Sequence, residues 1–181
     1  MIINKSDLKN YKFKNFNYLD KDKISLREYK FYAYFSSLFN NIIIYDVGTY
    51  RGNSAVALAD NPTNFVYSFD IKNYITCKEL DNIRFIHIDF RYYIDVYNKN
   101  LHPELWLIDV GNHDGIIEDN MYQFIQKYFE RYIIIFDDIR LNNGMKIFWN
   151  SISDNKLDIT DIGHWSGTGI VWKGYDVEVK E

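Results

Sequence analysis

The 181-residue chain contains little cysteine and little proline. Its single cysteine, Cys77, has no second cysteine for an internal disulfide, which favours a reducing compartment. Only two prolines are present, so there is no proline-rich linker, and the length suits one domain with a sizeable core. No apolar run approaches transmembrane length, and the N-terminus lacks the apolar segment of a signal peptide. The composition therefore predicts a soluble, cytoplasmic protein that does not enter a membrane.

The charge is distributed unevenly along the chain. The net charge is −4, yet residues 1–30 carry eight Lys and Arg against four Asp and Glu, which gives +4 there and leaves −8 for the remainder. We interpret residues 1–24 as a basic N-terminal arm and residues 25–181 as a single domain. The arm could meet a phosphorylated substrate, a nucleic acid or a membrane surface, but a solvated, partly disordered leader is favoured. The acidic main body argues against nucleic acid as the chief partner.

A strand, a glycine turn and a short helix follow one another near the start of the domain. The apolar run over residues 42–45 is typical of a strand that is buried on both faces. Asp46 ends this run, a turn with Gly48 and Gly52 follows, and a helical pattern begins at Ser54. This order predicts the first unit of a nucleotide-binding α/β sheet, in which the N–H groups at the helix start face the ligand.

The turn lacks the residues that would bind a pyrophosphate. A dinucleotide fingerprint needs glycine where this chain has Tyr50 and Asn53, and a P-loop needs a Gly-Lys-Ser/Thr sequence that is absent. A ligand that carries a carboxylate and an adenosine but no phosphates fits this turn better. S-adenosylmethionine is such a ligand.

The remaining sequence alternates predicted strands and helices. Further strands are predicted over residues 65–69, 83–88, 105–109, 132–136, 157–162 and 168–172. Helices are predicted over residues 26–38, 74–80, 92–97 and 145–152. One more helix is predicted to follow a cap at Asp114 and to end at residue 129. The strand–helix alternation predicts a parallel sheet with helices on both faces. The last two strands have so short a connection that they should form an antiparallel hairpin.

Acidic residues stand at the carboxyl ends of the predicted parallel strands, which is the edge where open α/β sheets bind ligands. These residues are Asp46, Asp70, Asp89, Asp109 and Asp137. Asp70 lies about twenty residues beyond Gly48, the spacing at which such sheets place an acid on ribose hydroxyls. The alternative for Asp70 is an ordinary strand-end carboxylate that caps the next loop.

Three carboxylates from neighbouring strands could hold a metal. Asp109, Asp137 and Asp138 suit a hard divalent cation such as Mg²⁺, although loop capping without a metal is the alternative for the last two. His113 is a candidate base, since imidazole is the side chain whose charge changes nearest to neutral pH. If His113 is only a loop residue, Asp109 would serve as the base.

Residues 46–54 resemble the first motif of the class I S-adenosylmethionine-dependent methyltransferases; they read Asp-Val-Gly-Thr-Tyr-Arg-Gly-Asn-Ser. The likeness is greatest to the metal-dependent small-molecule O-methyltransferase branch, which contains the catechol, caffeoyl-CoA and macrolide-sugar enzymes. It extends to Asp70, to residues 105–109, to Asp137 and Asp138, and to residues 167–169, so it covers roughly residues 42–172. The fold that this implies is α/β, a Rossmann-like and mostly parallel seven-stranded sheet with a C-terminal antiparallel hairpin.

The resemblance also implies a function, a cofactor and a set of site residues. The function would be transfer of a methyl group to a hydroxyl of a small molecule, such as a sugar or nucleotide-linked sugar, with or without Mg²⁺. Asp89 would bond the adenine amino group, Phe90 would pack on the ring, and Asp109, Asp137 and Asp138 would hold the metal. The cofactor-binding residues are expected to be Asp46, Gly48, Thr49, Tyr50, Gly52, Ser54, Asp70, Ile71, Asp89, Phe90 and Asp109.

The chain departs from the family pattern just after Asp109. Catechol-type enzymes have a lysine where this chain has Asn112, and the Asp-Gly-Asp-His pattern of the sugar branch is shifted here, with the histidine at His113. Two alternatives therefore stay open: a catalytically silent module that binds cofactor or a partner, and an RNA or protein methyltransferase that uses the basic arm.

The expected acceptor is a small molecule because the chain has no room for an added substrate domain. A lid over the site would come from residues 1–24, from the loop over residues 138–144, or from a second subunit, so a homodimer is one expected arrangement. Three aromatic residues near the predicted rim, Tyr50, Trp149 and Trp165, could stack on a sugar or ring or could be core and surface residues.

Overall fold

The computed structural model describes residues 1–20, 26–78, 80–93 and 102–181. Its centre is a seven-stranded sheet with the strand order β4-β3-β2-β5-β6-β8-β7. The strands are β2 (Ile43–Val47), β3 (Phe65–Asp70), β4 (Ile83–His87), β5 (Leu105–Ile108), β6 (Tyr132–Asp137), β7 (Asn155–Asp158) and β8 (Thr168–Lys173). β2 to β6 run parallel, whereas β8 is antiparallel to both β6 and β7. The predicted fold is confirmed, including its C-terminal antiparallel pair.

Helices cover both faces of this sheet. They are α1 (Lys5–Asn10), α2 (Leu26–Ser36), α3 (Asn53–Leu58), α4 (Phe90–Tyr93), α5 (Ile116–Tyr128) and α6 (Asn143–Ser151), with a 3-10 helix over Lys14–Tyr18. None of these helices is long and apolar enough to cross a membrane, a statement that covers the described residues only.

Successive side chains of the central strands supply two separate cores. Ile133 and Ile135 of β6 join the cluster with α2 and α3, whereas Ile134 and Phe136 join the cluster with α5 and α6. Successive residues of a strand point to opposite faces, so a continuous apolar run is what a strand between two helical layers requires. All six residues of β6 are buried.

Two of the predicted helices differ from the structure. Residues 74–78 and 80 are not helical, because the N–H groups of Thr76 and Cys77 bond the Arg51 carbonyl and that of Lys78 bonds the Tyr18 carbonyl. These long-range bonds replace the i to i−4 bonds of a helix. The helix predicted over residues 92–97 begins earlier, as α4, and residues 94–97 lie outside the described residues.

The first 20 residues are folded onto the domain, so the favoured expectation of a partly disordered leader is wrong for them. Strand β1 (Ile2–Asn4) pairs in parallel with β9 (Glu178–Lys180) and forms a second, two-stranded sheet. Further along, the Tyr11 hydroxyl and the Asn15 N–H both donate to the Asp60 carboxylate, each at 2.7 Å. Residues 21–24 of the predicted arm lie outside the described residues, and the domain boundary at residue 25 stays a prediction.

Ile3 provides a test of this packing because its side chain is fully buried, whereas that of its neighbour Ile2 is 47% exposed. We expect Ile3→Ala to lower the free energy of unfolding by about 2–4 kcal/mol, since the truncation leaves a cavity. Denaturant unfolding of wild type, Ile3→Ala and the matched control Ile2→Ala measures this difference. The Ile2 variant should change stability by about 0.5 kcal/mol or less. Equal, small effects of both variants would mean that β1 is not held in the core.

Candidate active site

A cleft of about 510 Å³ opens at the carboxyl ends of the parallel strands, a size within the usual range for small-molecule sites. It lies where β2, β3, β4 and β5 give way to their loops. Its lining includes these predicted cofactor residues: Gly48, Tyr50, Asp70, Ile71, Asp89, Phe90 and Asp109. The predicted base His113 and its neighbour Asn112 also line it.

The glycine turn after β2 is packed directly against the end of β5. A Cβ atom at Gly48 would lie 1.7 Å from the carbonyl oxygen of Asp109, and the φ angle of Gly48 is +97°. The N–H groups of Gly48 and Thr49 both donate to the Phe69 carbonyl, at 2.8 and 3.2 Å. Only glycine combines that φ angle with so close an approach, which explains why this residue stands here.

The same turn holds the carboxylate that was predicted to bind ribose. The Tyr50 N–H donates to Asp70 Oδ2 at 2.8 Å, and the Lys72 N–H donates to Oδ1 at 3.0 Å. Tyr50 adopts a left-handed conformation, with φ +47°, to make this bond. A carboxylate oxygen can accept more than one hydrogen bond, so Asp70 is oriented at the cleft and still has capacity for ligand hydroxyls.

Four predicted cofactor residues do not line the cleft: Asp46, Thr49, Gly52 and Ser54. The buried Asp46 carboxylate accepts hydrogen bonds from the hydroxyls of Ser54 at 3.0 Å and Ser68 at 2.7 Å. Burial raises the pKa of Asp46 to about 6, although these hydroxyls act in the opposite direction. In this geometry Asp46 joins α3 to the sheet, and its direct contact with a cofactor stays a prediction.

Residues that follow β4 in the sequence form another wall of the cleft. Phe90 is 5% exposed and packs edge-on against Phe69, with ring centroids 5.0 Å apart. Asp89 precedes it and also lines the cleft. Both residues therefore line the cleft, and the adenine contacts that the resemblance implies for them stay a prediction. Ile71, on the opposite lip, is 67% exposed.

Asp109, His113 and Asp138 meet at the end of β5. Each offers a ligand atom within 4.8 Å of the others, and His113 Nδ1 lies 3.4 Å from Asp138 Oδ2. His113 and Asp138 both have positive φ angles, +45° and +60°, which non-glycine residues adopt mainly where the surrounding structure enforces them. Burial, followed by the nearby Glu28 and Asp138 carboxylates, raises the pKa of Asp109 well above its usual range.

The structure divides the predicted metal trio. Asp137, the third member, groups instead with Glu28 of α2 and with His164, again within 4.8 Å. Joint binding of one cation by Asp109, Asp137 and Asp138 therefore stays a prediction. Sequence reasoning missed Glu28 and His164 as site residues. The available signals were an acid within a helix rich in aromatic residues and a histidine just before the Gly167-Thr168-Gly169 run.

His164 is connected to several carboxylates at once. Its Nδ1 atom lies 3.4 Å from Asp138 Oδ1, and the hydrogen bond to Asp138 raises the pKa of His164. The Ser166 hydroxyl donates to the same Asp138 oxygen. Burial alone would raise the pKa of Asp138, but its bonds to His164 and Ser166, with His113 nearby, outweigh burial and lower it.

Comparison with known proteins finds the fold but no close relative in sequence. No family model and no curated protein matches the chain. Among solved structures, the cofactor-bound protein Rv0187 from MTB is 12% identical with a TM-score of 0.66, and the match covers 87% of this chain and 84% of that one. The O-methyltransferase TomG from Streptomyces achromogenes, solved with S-adenosylmethionine, is 12% identical with a TM-score of 0.62, covering 86% and 84%.

A third structure agrees with these two. The O-methyltransferase from Bacillus cereus, solved with S-adenosylhomocysteine, is 16% identical with a TM-score of 0.59, and the match covers 92% of this chain and 89% of that one. At such low identity the likenesses establish the fold alone. The chain therefore has the class I S-adenosylmethionine-dependent methyltransferase fold, as the resemblance in the sequence implied.

We expect Gly48→Ala to lower the free energy of unfolding by about 3 kcal/mol or more, because the added methyl group meets the Asp109 backbone and the φ angle disfavours alanine. Chemical denaturation measures the change. Gly111→Ala is the matched control, since a Cβ atom at Gly111 would meet nothing within 4 Å and Gly111 also lines the cleft. Similar stabilities for both variants would contradict the packed turn described above.

Proposed function

We propose that the protein is an S-adenosylmethionine-dependent methyltransferase that acts on a hydroxyl group of a small molecule, such as a sugar or nucleotide-linked sugar. One observation carries the proposal: the Asp70 carboxylate and the Gly48 turn share one edge of a cleft in a methyltransferase-type fold, joined by the bond from Tyr50 to Asp70. Asp109 and His113 line the other side of the same cleft.

The cofactor part of the proposal assigns each wall of the cleft a portion of the ligand. Asp70 would accept hydrogen bonds from the ribose hydroxyls, and its two backbone donors already hold it in position. Asp89 and Phe90 would receive the adenine. The TomG and Bacillus cereus structures were solved with S-adenosylmethionine and S-adenosylhomocysteine, which supports this ligand class for the fold.

Methyl transfer needs an acceptor oxygen that is aligned with the sulfonium methyl group and has lost its proton. In the proposed reaction the oxygen–methyl bond forms as the sulfur–methyl bond breaks, and the hydroxyl proton passes to Asp109 or His113. Asp109 lies at the strand end and His113 on the following loop, and both line the cleft, which supports these roles.

The residues at the end of β5 also fit a divalent cation. Two carboxylates and one imidazole, from Asp109, Asp138 and His113, offer ligand atoms within 4.8 Å of one another. A cation bound there would lower the pKa of the acceptor hydroxyl and orient it. This set replaces the predicted Asp137 by His113, and a Mg²⁺-assisted reaction remains part of the proposal.

The surroundings of the site support a small acceptor. Trp165 is 78% exposed, and its ring lies 5.6 Å, centroid to centroid, from that of His164. An exposed indole beside His164 offers a flat surface on which a sugar or aromatic ring could stack. Residues 1–20 pack onto the domain, which supports a small acceptor over RNA as the partner of the basic arm.

We expect Asp70→Asn to weaken S-adenosylhomocysteine binding by about ten- to a hundredfold, because hydrogen bonds to a charged acceptor contribute about 1.5–3 kcal/mol. Asparagine keeps one of the two acceptor oxygens that the Tyr50 and Lys72 N–H groups use, so one of these bonds is retained, and an unfolding curve checks that the variant is folded. Isothermal titration calorimetry measures the affinity, and Asp81→Asn on the exposed turn before β4 is the control. Equal affinities of wild type and Asp70→Asn would refute the ribose assignment.

The acceptor class is tested by transfer of a labelled methyl group from S-adenosylmethionine to a panel of hydroxylated sugars, nucleotide sugars, catechols and RNA. We expect an O-methylated sugar-type product, and a loss of turnover of about a hundredfold or more in Asp109→Asn with cofactor binding retained. Transfer to RNA would favour the nucleic-acid alternative. Cofactor binding without turnover on any acceptor would favour the silent module.

A further inference from the structure

A second cluster of potential metal ligands lies beside the one formed by Asp109, His113 and Asp138. It consists of Glu28, Asp137 and His164, whose ligand atoms lie within 4.8 Å of one another. His164 Nε2 is 3.8 Å from Glu28 Oε2, and His164 Nδ1 is 3.6 Å from Asp137 Oδ2. The three residues come from α2, the end of β6 and the loop before β8, so the tertiary fold alone assembles them.

The acids of this second cluster are buried, and the carboxylate of Asp137 is incompletely compensated. Glu28 is 5% exposed and Asp137 is 4% exposed. Asp137 Oδ1 is inaccessible to solvent and accepts no hydrogen bond from the described part of the chain. Across those same residues, no lysine or arginine lies within ion-pair distance of Asp137 or Asp138. Burial and the neighbouring Asp109 and Glu28 carboxylates accordingly raise the pKa of Asp137.

One imidazolium cannot satisfy all the acids that surround it. His164 has two ring N–H groups at most, while Glu28, Asp137 and Asp138 all approach it within 4 Å. Its Nδ1 atom also lies 2.6 Å from the Ser166 hydroxyl, which engages that side further. Glu28 also accepts from the Tyr32 hydroxyl at 3.0 Å, so the deficit falls on Asp137, whose Oδ1 atom has no partner among the described residues. An unsatisfied buried carboxylate of this kind is where a missing ion belongs.

Asp138 connects the two clusters. Its Oδ2 atom lies 3.4 Å from His113 in the first cluster, and its Oδ1 atom lies 3.4 Å from His164 in the second. The two oxygens of one carboxylate therefore face two different ligand sets. Carboxylates with this disposition bridge the ions of two-metal sites, in which the ions lie about 3.5–4 Å apart. The left-handed backbone of Asp138, with φ +60°, holds it in that position.

We propose that the protein binds a pair of divalent cations, one held by Asp109 and His113, the other by Glu28, Asp137 and His164, with Asp138 between them. Each ligand set mixes carboxylate oxygen with imidazole nitrogen. Such sets suit Mn²⁺, Fe²⁺, Co²⁺ or Zn²⁺ better than Mg²⁺, which prefers oxygen ligands alone. The first ion would lie at the cleft, which Asp109 and His113 line, whereas Glu28, Asp137 and His164 of the second cluster do not line it.

The number of bound ions tests the pair directly. Metal-free protein, prepared by chelation, is titrated with Mn²⁺ and followed by calorimetry and electron paramagnetic resonance. We expect two equivalents in wild type, with loss of the six-line Mn²⁺ signal as the two ions couple. Glu28→Gln and His164→Gln should each bind one equivalent with an uncoupled signal. Asp138→Asn should weaken both equivalents by tenfold or more.

Glu104→Gln is the matched control, because Glu104 is a partly buried carboxylate at the opposite end of β5 and accepts from Tyr175. It should bind two equivalents as wild type does. S-adenosylhomocysteine titration of every variant checks the fold and separates a failure of the metal proposal from a failure of the methyltransferase proposal. One equivalent or none in wild type would overturn the pair. Two coupled equivalents in both folded Glu28→Gln and His164→Gln would equally overturn it.

Discussion

The candidate site depends on the close contact between the turn after β2 and the end of β5. At Gly48 the backbone approaches the Asp109 carbonyl so closely that no side chain fits between them. This contact fixes the position of the turn relative to the end of β5. It therefore also fixes how far Asp70, which is bonded to the turn, lies from Asp109. A sheet with the same strand order but a looser turn would still present both acids, but it would not hold them around one cleft.

Unbalanced negative charge is the second constraint on this part of the molecule. Four acids from different elements, Glu28, Asp109, Asp137 and Asp138, gather where two parallel strands end, with two histidines among them. Desolvation opposes every charged carboxylate there, so such a cluster persists only if something compensates it. His164 compensates Asp138 directly, and the pKa of Asp138 is lowered. Glu28 accepts a hydrogen bond from the Tyr32 hydroxyl, whereas Asp137 keeps a buried oxygen that has no partner among the described residues.

Much of the fold could be predicted because its central strands are buried on both faces and their pattern is local. Residues 132–136, for example, read as an uninterrupted apolar run, and the acid that follows marks the ligand-binding edge of the sheet. The spacing from Gly48 to Asp70 likewise places two parts of one cleft, since both follow neighbouring strands of a parallel sheet.

The remaining features depend on contacts between residues that are distant in sequence. His164 and Glu28 are 136 positions apart, and no local pattern indicates that they meet. Residues 74–78 have helix-like composition, but their N–H groups bond to Arg51 and Tyr18. Strand β1 is three residues long and becomes recognisable only through its partner at the other end of the chain. Each of these misses reflects tertiary bonds that override a local preference.

The pairing of β1 with β9 also determines when β1 can join a sheet during synthesis. Ile2 lies opposite Glu178, so β1 has no partner until β9 has been synthesised. Until then Ile3 has no strand beside it, and β1 stays unpaired while the strands of the seven-stranded sheet are synthesised. Contacts of such high sequence separation are slow to close, because a long loop must be ordered first. Strand β1 therefore precedes the other described strands in synthesis but is among the last of them to be paired.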